Sequence, residues 1–170
     1  MKIVSDTGPI IGLAKIGKLN LIRVLFEDIV IPPFVYKELF GKIGQESEEI
    51  ERALNSFITV AEFPAVDPET EKIIYDLDEG EKQAVALAFK MCENEKVLLL
   101  LDDRIGRRAA AKLKIPTTGV VGLLLQAKEK GYVKNVGSVL IELRRNGYWL
   151  SDQIIKIAKR LAGEKTNYKA

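Results

Sequence analysis

Five carboxylates occupy positions from which acids can gather a cation. Asp6 follows the apolar run at 2–5, and Asp102 and Asp103 follow the run at 97–101. Glu38 lies in the segment after the apolar residues 29–32, and Glu81 lies just before the helical pattern that leads into 97–101. The chain has no histidine and a single cysteine, Cys92. That excludes Ser-His-Asp triads, Cys-His pairs and His- or thiolate-caged zinc, so catalysis must rest on carboxylates, lysines or a metal. Carboxylates gathered in a partly dry crevice repel one another and take up protons unless a cation neutralises them. Oxygen donors select hard ions, Mg²⁺ or Mn²⁺, and Mg²⁺ completes its shell with water and substrate phosphate. The chemistry that follows is hydrolysis of a phosphodiester by in-line attack of a water whose pKa the ion lowers.

The rest of the composition sets bounds. At 170 residues the chain fits one domain, and chains near this size bury roughly 70% of their unfolded surface. Lys+Arg 26 against Asp+Glu 24 leaves a net charge of +2, too small for a whole-chain nucleic-acid footprint, so any such binding needs a local basic patch. The lone cysteine forms no internal disulfide, which points to the cytoplasm. It sits in an apolar helical pattern and reads as packing. The N-terminal apolar run is too short for a signal peptide, and no stretch approaches ~18 apolar residues, so no membrane is expected.

Strands are expected at 2–5, 29–32, 57–63, 97–101 and 115–118, the run at 97–101 being the strongest. Helices are expected from Thr7 through about Lys15, at 19–26, from Pro33, at 46–57, 71–75 and 80–91, from Arg104, and as three consecutive segments after residue 119. Gly17, Gly131 and Gly147 are the stop signals. Strands alternating with helices imply an α/β fold with a parallel sheet between helical layers. A main unit over 1–147 and a C-terminal helix with a polar tail over 148–170 are expected to form one domain, with residues 164–170 fraying.

Ligands bind beyond the carboxyl ends of parallel strands, where the strand order reverses. If the first and fourth strands are neighbours, Asp6 and the Asp102-Asp103 pair converge there, with Glu38 and Glu81 one element away. Plainer roles compete. Asp6 could cap the helix from Thr7, Asp102 or Asp103 could cap the helix from Arg104, and Glu38 could be solvated. Asp78 and Glu79 read as dipole-favouring acids, and Lys128, Lys130, Arg144 and Arg145 as solvated helix ends. Arg104, Arg107 and Arg108 could hold phosphate or pair with acids. Tyr132, Tyr148 and Trp149 could stack bases, although packing beside helix ends is the commoner fate.

The segments IVSDTGPIIGLAKIGKLNLI, IVIPPFVYKELF, LDEGEKQAVALA and VLLLLDDRIGRRAA, in that order and spacing over about residues 1–145, resemble PIN-domain ribonucleases. The Gly80-Glu81 helix, Asp102-Asp103-Arg104 and the segment from Thr118 to Gly122 are similar to a prokaryotic PIN-like branch. The resemblance implies a three-layer α/β/α sandwich with a five-stranded parallel sheet in order 3-2-1-4-5. It also implies Mg²⁺ or Mn²⁺ dependence, cleavage of single-stranded RNA, homodimerisation, and in many members a toxin role with a small antitoxin partner. By position it assigns Asp6, Glu38, Glu81 and Asp103 as the acidic site, with Asp102 a competing metal ligand. Thr7 would orient a carboxylate or water; Arg104 and Arg107 are candidate substrate contacts by residue type and position, not from the resemblance.

A haloacid-dehalogenase-like phosphatase shares a strand-one Asp followed by Thr, but that chemistry needs an acid two residues on, where Gly8 stands. A receiver-like module wants its adjacent acids after the first strand, and here they follow the fourth. A PIN-like domain that binds RNA or protein without cutting it is the third alternative.

Overall fold

The computed structural model describes residues 1–26 and 28–166; the last four residues of the tail expected to fray lie outside them. Five strands, β1 (Lys2–Ser5), β2 (Ile29–Ile31), β3 (Ile58–Val60), β4 (Val97–Leu100) and β5 (Thr117–Thr118), form one sheet in the order β3-β2-β1-β4-β5, with every pairing parallel. Ten helices surround it among the described residues. They are α1 (Thr7–Lys15), α2 (Asn20–Phe26), α3 (Pro33–Phe40), α4 (Ser47–Leu54), α5 (Pro68–Ile74), α6 (Glu79–Cys92), α7 (Arg104–Lys112), α8 (Val120–Glu129), α9 (Val136–Arg145) and α10 (Asp152–Leu161).

The pleat divides the core in two, because successive strand side chains point to opposite faces. Ile3, Ile29, Ile31 and Leu100 pack with α1–α4 and α8–α10, whereas Val4, Val30, Leu99 and Leu101 pack with α5–α7. Both faces are covered at the centre of the sheet, which is why β2 and β4 read as continuous apolar runs. Cys92 packs beside the second cluster, and burial pushes its thiol pKa up, as the packing reading expects. No helix among the described residues is long and apolar enough to cross a membrane.

Several boundaries differ from expectation for local reasons. The third strand is shorter than 57–63 because pairing ends once the Ala61 amide has reached the Ile31 carbonyl. Helix α5 starts three residues early: Asp67 caps it, accepting bonds from the Glu69 and Thr70 amides at 3.0 Å each, with Pro68 at the first helical position.

The C-terminal helix is clasped to the body. Glu164, its side chain only 7% exposed, accepts from Lys128 Nζ at 2.6 Å and from the Val136 and Gly137 amides at 2.6 and 2.9 Å. Lys128 is therefore an ion-pair partner and not a solvated helix end. Burial pushes the Glu164 carboxyl up, but these bonds outweigh it and hold its pKa below the usual range. Glu164→Ala leaves the first α9 amides and Lys128 without this acceptor. The expected loss is about 2 kcal/mol in urea unfolding, with α10 fraying first in hydrogen exchange.

Candidate metal centre

Strands β1 and β4 lie side by side with Ser5 opposite Leu100, and the Asp6 amide donates to the Leu100 carbonyl at 3.1 Å. Asp6 and the residues after Leu100 therefore leave the sheet together at its order reversal, as the sequence argument requires.

Asp6 occupies the N-cap position of α1 without a side-chain bond of full capping geometry, although the Thr7 and Gly8 amides lie beside its carboxylate. Burial lifts its pKa from 3.8 to about 6; the nearby Thr7 and Gly8 amides ease the charge, while Asp78 and Glu38 add repulsion. On α3, Glu38 accepts a short hydrogen bond from the Thr7 hydroxyl. The helix itself is tied to α6 by the Phe34 amide, which donates to Gln83 Oε1 at 3.0 Å. Thr7 thus holds the Glu38 carboxylate through its hydroxyl.

Gly80 marks the point where three acids meet. A methyl group added there would lie 3.0 Å from Glu38 Oε2, 3.3 Å from Asp6 Oδ1 and 3.6 Å from Asp78 Oδ1. Asp78 does cap α6, accepting from the Glu81 amide at 2.9 Å, but it also belongs to this cluster, which the sequence reading missed. Its spacing of three from Glu81 signals a cap; nothing local signals that the cap faces Asp6. Glu81 follows one residue after Gly80, and its pKa rises from 4.5 to about 7 through burial first, then repulsion from Asp78, Asp103 and Asp6.

The adjacent aspartates diverge. Asp103 caps α7, with Oδ1 accepting from the Ile105 and Gly106 amides at 2.7 and 2.8 Å, and it is the one whose charge reaches Glu81. Asp102 turns toward α8, accepting from the Val120 amide at 3.1 Å and from the Tyr148 hydroxyl at 2.5 Å. Tyr148 reaches it because Gly147, at φ 90°, reverses the chain after α9, and because Gly12 leaves room for the ring. Any Cβ on Gly12 would lie 2.4 Å from that ring. Burial and the Asp102 charge push the Tyr148 hydroxyl pKa up, so it stays a donor. Arg107 is half-buried near Asp102, with its Nη1 3.5 Å from the Leu101 carbonyl, and Arg104 is exposed on the first turn of α7.

Among the described residues, no three carboxylates close into a ready-made coordination cage. What the structure shows is an all-oxygen donor set in which burial, with repulsion from neighbouring acids added, raises the pKa of Asp6 to about 6 and of Glu81 to about 7. Such a set fits a hard divalent cation, which would offset the cost of burying these charges and relieve the repulsion that adds to it. Gly80→Ala tests the shared space. Alanine favours the helix over glycine by up to about 1 kcal/mol, while its methyl intrudes between Asp6 and Glu38. Stability should hold or rise while Mn²⁺ affinity falls, read by unfolding and by calorimetric titration.

A sequence profile of the DUF3368 family, described as a PIN domain, matches residues 2–164. The chain is a PIN-domain protein. PIN domains are generally nucleases and typically use divalent metals, and the sheet order of this one is the order expected for the fold. Among solved structures, this PIN domain is similar to a PilT N-terminus domain protein from the hyperthermophilic archaeon Sulfolobus solfataricus P2. The two are 19% identical with a TM-score of 0.55, over 75% of this chain and 93% of that one. At that identity the likeness speaks for the fold alone. No match emerges among curated proteins.

Proposed function

We propose that this PIN domain is a divalent-metal-dependent endoribonuclease that hydrolyses phosphodiesters of single-stranded RNA. The observation that carries the reading is the meeting of Asp6, Glu38 and Asp78 around Gly80, with Glu81 and Asp103 coupled to them, at the carboxyl ends of adjacent strands. In this reading Asp6, Glu81 and Asp103 hold Mg²⁺ or Mn²⁺. Asp102 is the weaker candidate ligand, since the α8 amide and Tyr148 already use its carboxylate. When bound, the cation supplies Lewis acidity, lowering the pKa of a water and offsetting charge that builds on phosphorus. Glu38, oriented by Thr7, accepts the proton that the attacking water loses. Arg107 and Arg104 hold flanking phosphates.

The biological setting is part of the proposal: a cytoplasmic nuclease acting as a homodimer, and the toxin of a pair whose small antitoxin partner covers the acidic crevice. What supports a protein partner is an exposed apolar patch on α3 and just beyond it, where Phe40 and Ile43 are 73% and 99% exposed and Tyr36 stacks on Phe40.

The test is incubation of purified protein with single-stranded and structured RNAs in Mn²⁺ or in EDTA. Cleavage of the single-stranded set in Mn²⁺ alone is expected. Saturable RNA binding with no cleavage in either condition would replace the enzyme with a binding module. Release of phosphate from monoesters through a covalent intermediate on Asp6 would restore the phosphatase alternative.

A further inference from the structure

An apolar groove runs between α8 and α10, with Asp102 among its lining residues. Leu125 of α8 lines one side and Ile154, Ile157 and Leu161 of α10 the other, and Asp102 and Arg107 line it as well. Trp149 lines the groove and is 83% exposed; of the neighbouring aromatics, Tyr148 is the one held inward by Gly12 and Asp102. An indole that exposed contributes little to the core, and solvated apolar surface of this kind marks a binding site.

We propose that this groove is a base-binding subsite, in which Trp149 stacks on an unpaired base beside the scissile phosphate of single-stranded RNA. The proposal rests on the ribonuclease reading and names where that enzyme holds its substrate. Three observations select RNA over a protein helix. First, the groove borders the candidate metal centre through two of its lining residues: Asp102 is one residue from Asp103, and Tyr148 lies close enough to Asp6 to feel its charge. Second, Arg107 guards that junction, and its guanidinium, with five N–H donors, has only the Leu101 carbonyl at 3.5 Å as acceptor among the described residues. A phosphate satisfies it, whereas an apolar helix laid along the groove would bury it. Third, the α10 stripe from Ile154 to Leu161 is about 10 Å long, which holds two or three bases at about 3.4 Å each. Stacking on an aromatic face is tolerant of base identity, so this subsite favours unpaired RNA without dictating sequence.

Trp149 is the chain's single tryptophan and therefore its own reporter. Its fluorescence should be titrated with short single-stranded oligoribonucleotides in EDTA, and again with Asp6→Asn protein in Mn²⁺, so that no cleavage intervenes. Saturable quenching is expected, lost when the RNA carries an abasic nucleotide at one position. By anisotropy of labelled RNA, Trp149→Ala should bind about 10- to 100-fold more weakly, and Trp149→Phe, which keeps a stacking face, within about 5-fold of wild type. Unchanged Trp149 emission, with wild-type binding and cleavage by Trp149→Ala, would overturn the subsite and leave the nuclease reading standing. Quenching without cleavage in any metal would support the subsite and remove the nuclease. Emission that shifts with protein concentration and not with RNA would assign the groove to a second copy of the chain and overturn the proposal.

Discussion

Asp6→Asn should lower metal-dependent RNA cleavage by roughly 1000-fold, because a cation site that loses a ligand gives up several kcal/mol of transition-state stabilisation at about 1.4 kcal/mol per decade. The same substitution should not damage the fold. Asn has the shape of Asp, and its amide oxygen can face the same Thr7 and Gly8 amides at the start of α1. In metal-free protein near pH 8 the variant should even be the more stable, because it removes one charge from a group in which Glu38 and Asp78 repel it. Opposite signs on activity and stability separate a metal ligand from a residue that merely supports the structure. Single-turnover cleavage and urea unfolding read the two. A variant that loses both together would make Asp6 structural, and one that keeps full activity would misplace the site.

Metal-free protein should lose stability as pH rises through neutrality, and Mn²⁺ should restore it. The folded-state pKa values of Asp6 and Glu81 are raised, from 3.8 to about 6 and from 4.5 to about 7. Between the unfolded and folded values the native state holds protons that the unfolded chain has released. This contribution is therefore complete below the unfolded pKa values and disappears as pH climbs past the folded ones. Both groups are partly solvated and interact with each other, so the combined loss between about pH 5.5 and about pH 8 is on the order of 1 to 2 kcal/mol. Asp67 and Glu164, whose pKa values are lowered, act in the opposite direction: their stabilisation is lost as pH falls into the acid range, below this window. Adding Mn²⁺ at about 100 times its dissociation constant returns about 2.7 kcal/mol, more readily at the higher pH because fewer protons must leave. Equal urea midpoints at both pH values in EDTA would contradict the raised pKa values. A larger Mn²⁺ effect at the lower pH would contradict their link to the metal.

The sheet was readable in the sequence where burial is two-sided. Val97 to Leu101 could only be a covered strand, and the acids at its end followed from that. The edges were less readable: β5 pairs through only Thr117 and Thr118, half-exposed polar residues without an apolar signature. Adjacent residues were the hardest to separate. Asp102 and Asp103 look alike in sequence, and what parts them is a hydroxyl 46 residues away on Tyr148 for one and the α7 amides for the other. Tyr148 and Trp149 divide in the same way, one ring filling the space above Gly12 and the other left in solvent, a consequence of packing between α1 and the turn after α9. Asp78 was missed because a capping aspartate and a site aspartate have the same local pattern, and only the packing of α6 against β1 and α3 brings it to Asp6. Long-range contacts of this kind leave no trace within a single segment.

The central claim is that the acids at the ends of β1 and β4 support hydrolysis of RNA through a divalent cation and water. A single time course tests it most directly: wild-type protein on single-stranded RNA in Mn²⁺, with EDTA added midway, excess Mn²⁺ restored later, and the product ends identified. Cleavage should start, stop and resume, and no product should carry a 2′,3′-cyclic phosphate, because water and not the neighbouring 2′-hydroxyl is the nucleophile. Cleavage that continues through EDTA, or cyclic phosphate ends, would contradict the account.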